Sequence, residues 1–217
     1  LQNTAYSVNI KERLDFSCAL FDAQGQLIAN APHMPVHLGS MSESIVTVIA
    51  RNPGMRPGDV FVLNDPYHGG THLPDITVIT PVYMDGKPVF YVGSRGHHAD
   101  VGGTTPGSMP PFSTRIEEEG VRITNFKLVD RGVLRATEMV ALLRSGEYPS
   151  RNTQQNMADL NAQIAANEKG VQELRKMVAH FGLDVVQAYM RHVQDNAEES
   201  VRRVITRLKD GTFTLPL

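Results

Sequence analysis

Asp75-Ile-Thr-Val-Ile-Thr-Pro-Val-Tyr-Met-Asp-Gly-Lys-Pro-Val-Phe-Tyr-Val-Gly-Ser94 decides the fold. Asp75 to Tyr83 is rich in β-branched residues and alternates as a strand does. Asp85-Gly86 is a tight-turn signal, and Pro88 to Ser94 reads as the returning strand. Reflection about that turn sets Asp75 nearly opposite Gly96. Ligand-rich segments flank the hairpin: Asn64-Asp-Pro-Tyr-His-Gly-Gly-Thr-His-Leu-Pro-Asp75 and Arg95-Gly-His-His-Ala-Asp100. The pairing folds the His72 end of one against the His97/His98 end of the other. Adjacent side chains on extended backbone point to opposite faces. His97 and His98 therefore do not both face one ion; one ligates and the other contacts substrate or a supporting group.

Six of the eight histidines fall between His33 and His98, mixed with Asp65, Asp75 and Asp100. Neutral imidazole and carboxylate are the usual ligands of zinc or manganese, so the cluster predicts a divalent-metal site. His180 and His192 lie in the helical tail and read as ordinary helix residues.

Working outward, residues 13–30 predict a hairpin, followed by the loop Ala31-Pro-His-Met-Pro-Val-His-Leu-Gly39. Ser40-Met-Ser-Glu43 resembles a capping box opening a helix to about Arg51. Residues 59–64 read as a short strand. Val101 to Pro111 is a glycine- and proline-rich loop, without the spacing of a phosphate-binding loop. Glu117-Glu-Glu119 reads as a solvated run, with one glutamate as a possible base. From Asn152 the apolar spacing becomes helical, broken at Gly182: a helical hairpin with one apolar stripe per arm, suited to packing. The expected fold class is α+β. A mixed sheet and hairpin core with flanking helices occupies residues 1–150. The helical hairpin, and the start of a truncated C-terminal region, occupy 151–217. The last residues, from Lys209, read as a turn and the start of a strand.

The net charge is -2 and no basic patch stands out, which argues against nucleic-acid binding. Arg202-Arg203 reads as a solvated helix face. Cys18 is the one cysteine, so no internal disulfide forms, and a reducing cytoplasm is expected. It reads as a buried structural thiol. No apolar run has the length of a membrane span.

Five motifs carry a resemblance: Ser7-Val-Asn-Ile-Lys-Glu-Arg-Leu-Asp-Phe-Ser-Cys18, His33-Met-Pro-Val-His-Leu-Gly-Ser-Met41, Asn64 to Asp75, Arg95 to Gly103, and Pro106-Gly-Ser-Met-Pro110. Together they resemble the hydantoinase B family. That family comprises B subunits of N-methylhydantoinase, the matching half of ATP-dependent 5-oxoprolinase, caprolactamase, and related subunits of acetone and acetophenone carboxylases. The resemblance spans essentially the whole chain and implies the N-terminal part of a longer subunit.

The resemblance implies a hetero-oligomer in which a hydantoinase A-type subunit binds ATP and phosphorylates a small cyclic amide. The B subunit then completes the hydrolysis with a divalent metal. It implies Asp15, His72 and His97 as metal ligands, with Asp75 and His98 as alternates. Phosphorylation makes a lactam oxygen a leaving group, and metal-bound water of lowered pKa attacks the ring carbon. Asp75 or His98 is the candidate base. The backbone amides of Gly102, Gly103 and Gly107 are candidates for holding phosphate or oxyanion. Two other readings stand beside it: the metal subunit of an ATP-dependent ketone carboxylase, and a scaffold with a structural metal.

Overall fold

A computed structural model describes residues 1–215. It shows an α+β architecture built on one seven-stranded antiparallel sheet. In chain order the elements are α1 (Val8–Lys11), β1 (Phe16–Asp22), β2 (Leu27–Pro32), α2 (His37–Arg51), β3 (Val60–Leu63), β4 (Asp75–Met84) and β5 (Lys87–His97). They continue with a 3-10 turn (Ile116–Glu118), β6 (Phe126–Asp130), β7 (Val133–Leu134), α3 (Ala136–Leu143), α4 (Thr153–Phe181) and α5 (Leu183–Arg207). The strand order is β2-β1-β5-β4-β3-β6-β7, so the predicted β4–β5 hairpin lies inside the sheet.

Asp85 (φ 49) and Gly86 (φ 77) both take positive φ, as a two-residue primed turn requires. Met84 pairs with Lys87, but beyond the turn the register shifts: Tyr83 faces Pro88 whereas Val82 faces Phe90. The extra residue is a bulge on the returning strand. It moves every later pair by one, so Asp75 faces His97 and not Gly96 as simple reflection predicts. The bulge is what sets these two side chains directly opposite each other.

Alternation sorts the strands onto two faces. Ala19, Phe21, Phe61, Leu63, Ile79 and Tyr91 pack with Met41, Ile45 and Val48 of α2. Val60, Val62, Ile76, Val78 and Leu128 pack with Met139 and Leu143 of α3 and Leu160 of α4. Full burial of such side chains contributes about 1.5–3 kcal/mol each. Both faces of β4 are covered, and its first eight residues are buried.

α2 starts four residues earlier than the capping motif predicts. Val36 is its N-cap, with no side-chain cap. Ser40 donates back to the Val36 carbonyl (3.4 Å), and Ser44 faces the sheet instead of solvent. His37, expected in a loop, is therefore fixed in the first turn of a helix lying on the sheet.

The buried face of α4 is not purely apolar. Asn156, Asp159, Gln163 and Asn167 are all buried alongside Leu160, Val171 and Leu174. Gln163 Nε2 donates to the carbonyls of Ile76 (2.9 Å) and Ser94 (3.1 Å), and Asn167 Nδ2 to that of Val78 (3.0 Å). The helix is held to β4 and β5 by amide hydrogen bonds as well as by apolar contact.

The chain divides into two compact units, Leu1–Arg175 and Lys176–Leu217, with α4 running from the first into the second. In the second, Gly182 (φ 85) separates the two long helices. Val186 and Met190 of the predicted stripe are buried, whereas Val193, Val201, Val204 and Leu208 are exposed. Arg202 and Arg203 pair with Glu198 and Glu199 (2.7 Å each), a solvated helix face as expected. Residues 209–215 form no strand; Pro216 and Leu217 of the predicted strand start lie outside the described residues. Among the described residues, no helix is long and apolar enough to cross a membrane.

Candidate metal centre

The site lies on the α2 face, at the end of the sheet where β4 begins and β5 ends. Asp75 is its hub. Its Oδ1 is 3.1 Å from His97 Nδ1. Its Oδ2 is 3.1 Å from His72 Nδ1 and 3.3 Å from His37 Nε2, and accepts from Thr71 Oγ1 at 2.9 Å. Asp15, just before β1, places Oδ2 3.8 Å from His97 Nδ1. Its backbone is tied to β5 by the His97 N–H, which donates to the Asp15 carbonyl (3.0 Å). Cross-strand pairing thus supplies Asp75 and His97, the 64–75 loop supplies His72, and α2 supplies His37.

The loop can lie so close because of two glycines. A Cβ on Gly69 would come 2.7 Å from the Glu43 carbonyl oxygen, and one on Gly70 would collide with the Asn64 carbonyl. No other residue type allows that backbone approach.

Three imidazoles around one buried carboxylate make an unusual electrostatic environment. Burial pushes the Asp75 carboxyl up, but hydrogen bonds from His37, His72 and His97 outweigh it and hold it far below the ordinary range. The bond to Asp75 raises His72, against the opposing effect of its partial burial. Two residues along β5, Arg95 is fully buried on the same face. Its guanidinium donates to Thr77 Oγ1 (2.8 Å), Ser40 Oγ (2.5 Å) and Ser44 Oγ (2.8 Å). Burial lowers it to about 10, with Asp75 opposing, so it stays charged at neutral pH.

The donor set fits a divalent ion. His72, Asp75 and His97 each offer an atom within 4.8 Å of the others, as do Asp15, His37 and Asp75. Donors on a tetrahedral zinc at about 2.1 Å lie about 3.4 Å apart. The two 3.1 Å gaps from Asp75 are already close to that spacing.

The structure thus brings together Asp15, His72, Asp75 and His97. It does not bring in His98, which points to the opposite face, as strand alternation predicts. His98 is fully buried; Nε2 lies 3.1 Å from Gln163 Oε1, and Asn156 Nδ2 is 3.2 Å from Nδ1. Asn156 Nδ2 also donates to the Asp100 carbonyl (2.8 Å), which fixes the amide and leaves His98 protonated on Nε2. Burial lowers its affinity for a second proton. Both of its nitrogens are engaged in holding α4.

Gly102, Gly103 and Gly107 also serve the fold. Gly102 N–H and Gly107 N–H donate to the Asp100 carboxylate (3.0 and 3.2 Å), and Gly103 N–H to the Tyr148 carbonyl (3.0 Å). Arg151 closes the same knot on Asp100 at 2.7 Å. Glu118 and Glu119 accept bonds from their own loop, from Thr114 and Ser113. On β1, burial pushes the Cys18 thiol up, consistent with a structural role. His37 is the participant that sequence reasoning missed. Its signal was the second histidine of His33-Met-Pro-Val-His37, masked by placing the helix start at Ser40.

A family model described as hydantoinase B/oxoprolinase matches residues 1–216. The chain belongs to the hydantoinase B/oxoprolinase family. Among relatives, "5-oxoprolinase 1" of Arabidopsis thaliana is 53% identical over 94% of this chain, which spans 17% of that protein. Among solved structures, the ATP-dependent caprolactamase of Pseudomonas jessenii superposes with a TM-score of 0.83 at 31% identity, covering 91% of this chain and 34% of that one. A nucleotide-free acetone carboxylase gives 0.77 at 25% identity, covering 88% and 25%. The hydantoinase B/oxoprolinase segment therefore spans about a sixth to a third of these proteins.

Proposed function

We propose that this segment forms the metal-dependent hydrolytic centre of an ATP-dependent cyclic-amide hydrolase, acting on an amide whose oxygen a partner A-type component has phosphorylated. The observation that carries the reading is the convergence of His72, His97 and His37 on Asp75. Imidazoles and a carboxylate brought within ligand distance are the donor set a divalent cation takes. His72, His97 and Asp75 would hold the ion, with Asp15 at its edge. A divalent cation there supplies Lewis acidity, making water a nucleophile near neutral pH.

The residues position and neutralise. Thr71 holds one oxygen of Asp75, and Arg95 lends fixed positive charge to the face on which an anionic phosphoryl group would sit. A lactam resists attack because resonance deactivates its carbonyl; O-phosphorylation removes that protection. Water oxygen then bonds to the ring carbon, the C–N bond breaks, and nitrogen leaves as the protonated amine. Loss of phosphate directly from the adduct would regenerate the lactam. The acyl phosphate that remains takes a second water and releases inorganic phosphate.

A ketone carboxylase is the second reading, favoured by the superposition on acetone carboxylase. The test supplies the full-length protein and its ATP-binding partner with ATP and a panel of 5-oxoproline, hydantoins, caprolactam and acetone, with and without bicarbonate. Ring opening without bicarbonate, abolished in His72→Ala, supports the hydrolase. Turnover of acetone that requires bicarbonate supports the carboxylase. Full activity in a folded, metal-free His72→Ala protein would leave only a scaffold.

A further inference from the structure

One acid–imidazole pair lies outside the donors gathered on Asp75. His68 Nδ1 is 2.7 Å from Asp65 Oδ2. We propose that His68, held by Asp65, is the general acid that protonates the departing ring nitrogen. This rests on the hydrolase reading above and names the group that commits its adduct to ring opening.

The topology puts the pair beside the centre. β3 and β4 are antiparallel, with Leu63 opposite Thr77. Two residues further along that register, Asp65 comes opposite Asp75. Leu63 packs against α2, so alternation gives Asp65 the same side of the sheet as the metal centre. Neighbouring strands are about 4.8 Å apart, so an imidazole reaching from this loop spans the step to a ring held at the centre. His68 shares its loop with His72. Gly69, beside it, sits against Glu43, Ser44 and Thr47 of α2, and its carbonyl accepts from Ser44.

The pair is built to hand over a proton. Asp65 is fully buried; its Oδ2 also accepts from Thr124 Oγ1 (2.8 Å), and its Oδ1 from the Tyr67 N–H (3.0 Å). Burial raises its carboxyl, but the bonds from His68, Thr124 and Tyr67 lower it more, so it has no proton to give. His68 Nδ1 is therefore the donor of the shared bond, and Nε2 is the atom that gains and loses a proton. Among the described residues, Nε2 has no hydrogen-bond partner. The His68 side chain is 38% exposed and that of Asp65 is 0% exposed. One end of the pair is fixed in protein, and the other is open to substrate and to the solvent that reloads it. A carboxylate behind an imidazole orients the ring and stabilises its charged form. Arg122 Nε stands 3.9 Å from the same carboxylate oxygen.

Once water has added, the ring carbon carries a hydroxyl, the phosphorylated oxygen and the ring nitrogen. While nitrogen is unprotonated, phosphate is the better leaving group, and its loss regenerates the lactam. When the Nε2 proton is transferred, the C–N bond breaks and its electron pair stays on nitrogen. The hydroxyl gives its proton to water as the carbonyl of the acyl phosphate forms. His68 is left neutral, with Nδ1–H still on Asp65, until solvent returns a proton. Asp65 is the positioning residue.

The test runs the full-length protein with its ATP-binding partner, ATP and 5-oxoproline, or the panel lactam that wild type opens, in H₂¹⁸O. Ring opening, ADP release and ¹⁸O in the recovered lactam are followed together. His68→Gln, whose amide can still bond Asp65, should open the ring about 10²–10⁴-fold more slowly while ADP release continues. Its recovered lactam should gain one ¹⁸O, the mark of water that added and phosphate that left. Imidazole in the buffer should restore ring opening. His72→Ala should give neither product nor label, because water does not add; product or label there would undo the metal-centre reading and not this one. Ring opening by His68→Gln within about threefold of wild type overturns the acid role. So does loss of ring opening with unlabelled lactam and no rescue by imidazole, which places His68 before water addition.

Discussion

Arg95→Met removes a side chain that, like Asp75, ties β5, α2 and the 64–75 loop together. The guanidinium makes three close hydrogen bonds, to Thr77, Ser40 and Ser44, and a fourth at 3.5 Å to the Gly69 carbonyl. Hydrogen bonds from a charged donor contribute about 1.5–3 kcal/mol each, so the three short ones represent about 4.5–9 kcal/mol gross. Methionine recovers the several kcal/mol that burying the charge costs and keeps most of the apolar stem. Two orphaned hydroxyls retain other partners, since Ser44 still donates to Gly69 and Ser40 to Val36. The net loss should be about 2–4 kcal/mol, the gross hydrogen-bond figure less the desolvation that methionine recovers. Urea denaturation of the metal-free protein measures it, and hydrogen exchange should show the 64–75 loop and the first turns of α2 losing protection before the rest of the sheet. A variant within about 1 kcal/mol of wild type, with an unchanged exchange map, would refute the reasoning.

Asp59→Asn should cost about 1–3 kcal/mol, because buried Asp59 accepts from Lys127 Nζ (2.9 Å) and from the Arg56 and Arg131 amides (3.0 Å each). Burial raises its carboxyl, but these bonds lower it more, so its contribution is present above the ordinary value near pH 3.9 and lost as pH falls toward the lowered one. The gap between wild type and variant in urea titrations should therefore close on acidification. Gln163→Leu strands His98 Nε2–H and the Ile76 and Ser94 carbonyls; it should lose about 1–3 kcal/mol in thermal unfolding while metal content stays at the wild-type level. Thr71→Val removes a hydrogen bond to Asp75 Oδ2 without removing a ligand, and calorimetric titration should show metal affinity about 10–100-fold weaker.

The hairpin and its consequence were legible because Asp85-Gly86 fixes a turn and β-branched alternation fixes two strands; that His72 meets His97 or His98 followed from those alone. The one-residue register shift was not legible, since a bulge depends on how the whole strand twists against its neighbours. That same shift promotes Asp75 from alternate ligand to hub. His37 was hidden by a local capping signal that tertiary contact overrode: Ser40 and Ser44 bind Arg95 and the loop. The polar face of α4 was hidden for a related reason. Apolar periodicity finds the stripe, but only the sheet shows that Gln163 and Asn167 sit over β4 and β5 carbonyls. The glycines after Asp100 read as permitting close approach; at Gly102 and Gly103 what approaches is the backbone of Tyr148 and Glu119.

Anomalous diffraction from crystals of the full-length protein, recorded on both sides of the zinc and manganese edges, addresses the centre itself. A metal peak is expected within about 2.0–2.2 Å of a nitrogen of His72, a nitrogen of His97 and an oxygen of Asp75. A map with no peak among those three side chains, from protein that opens a cyclic amide in the presence of its ATP-binding partner, would contradict the account.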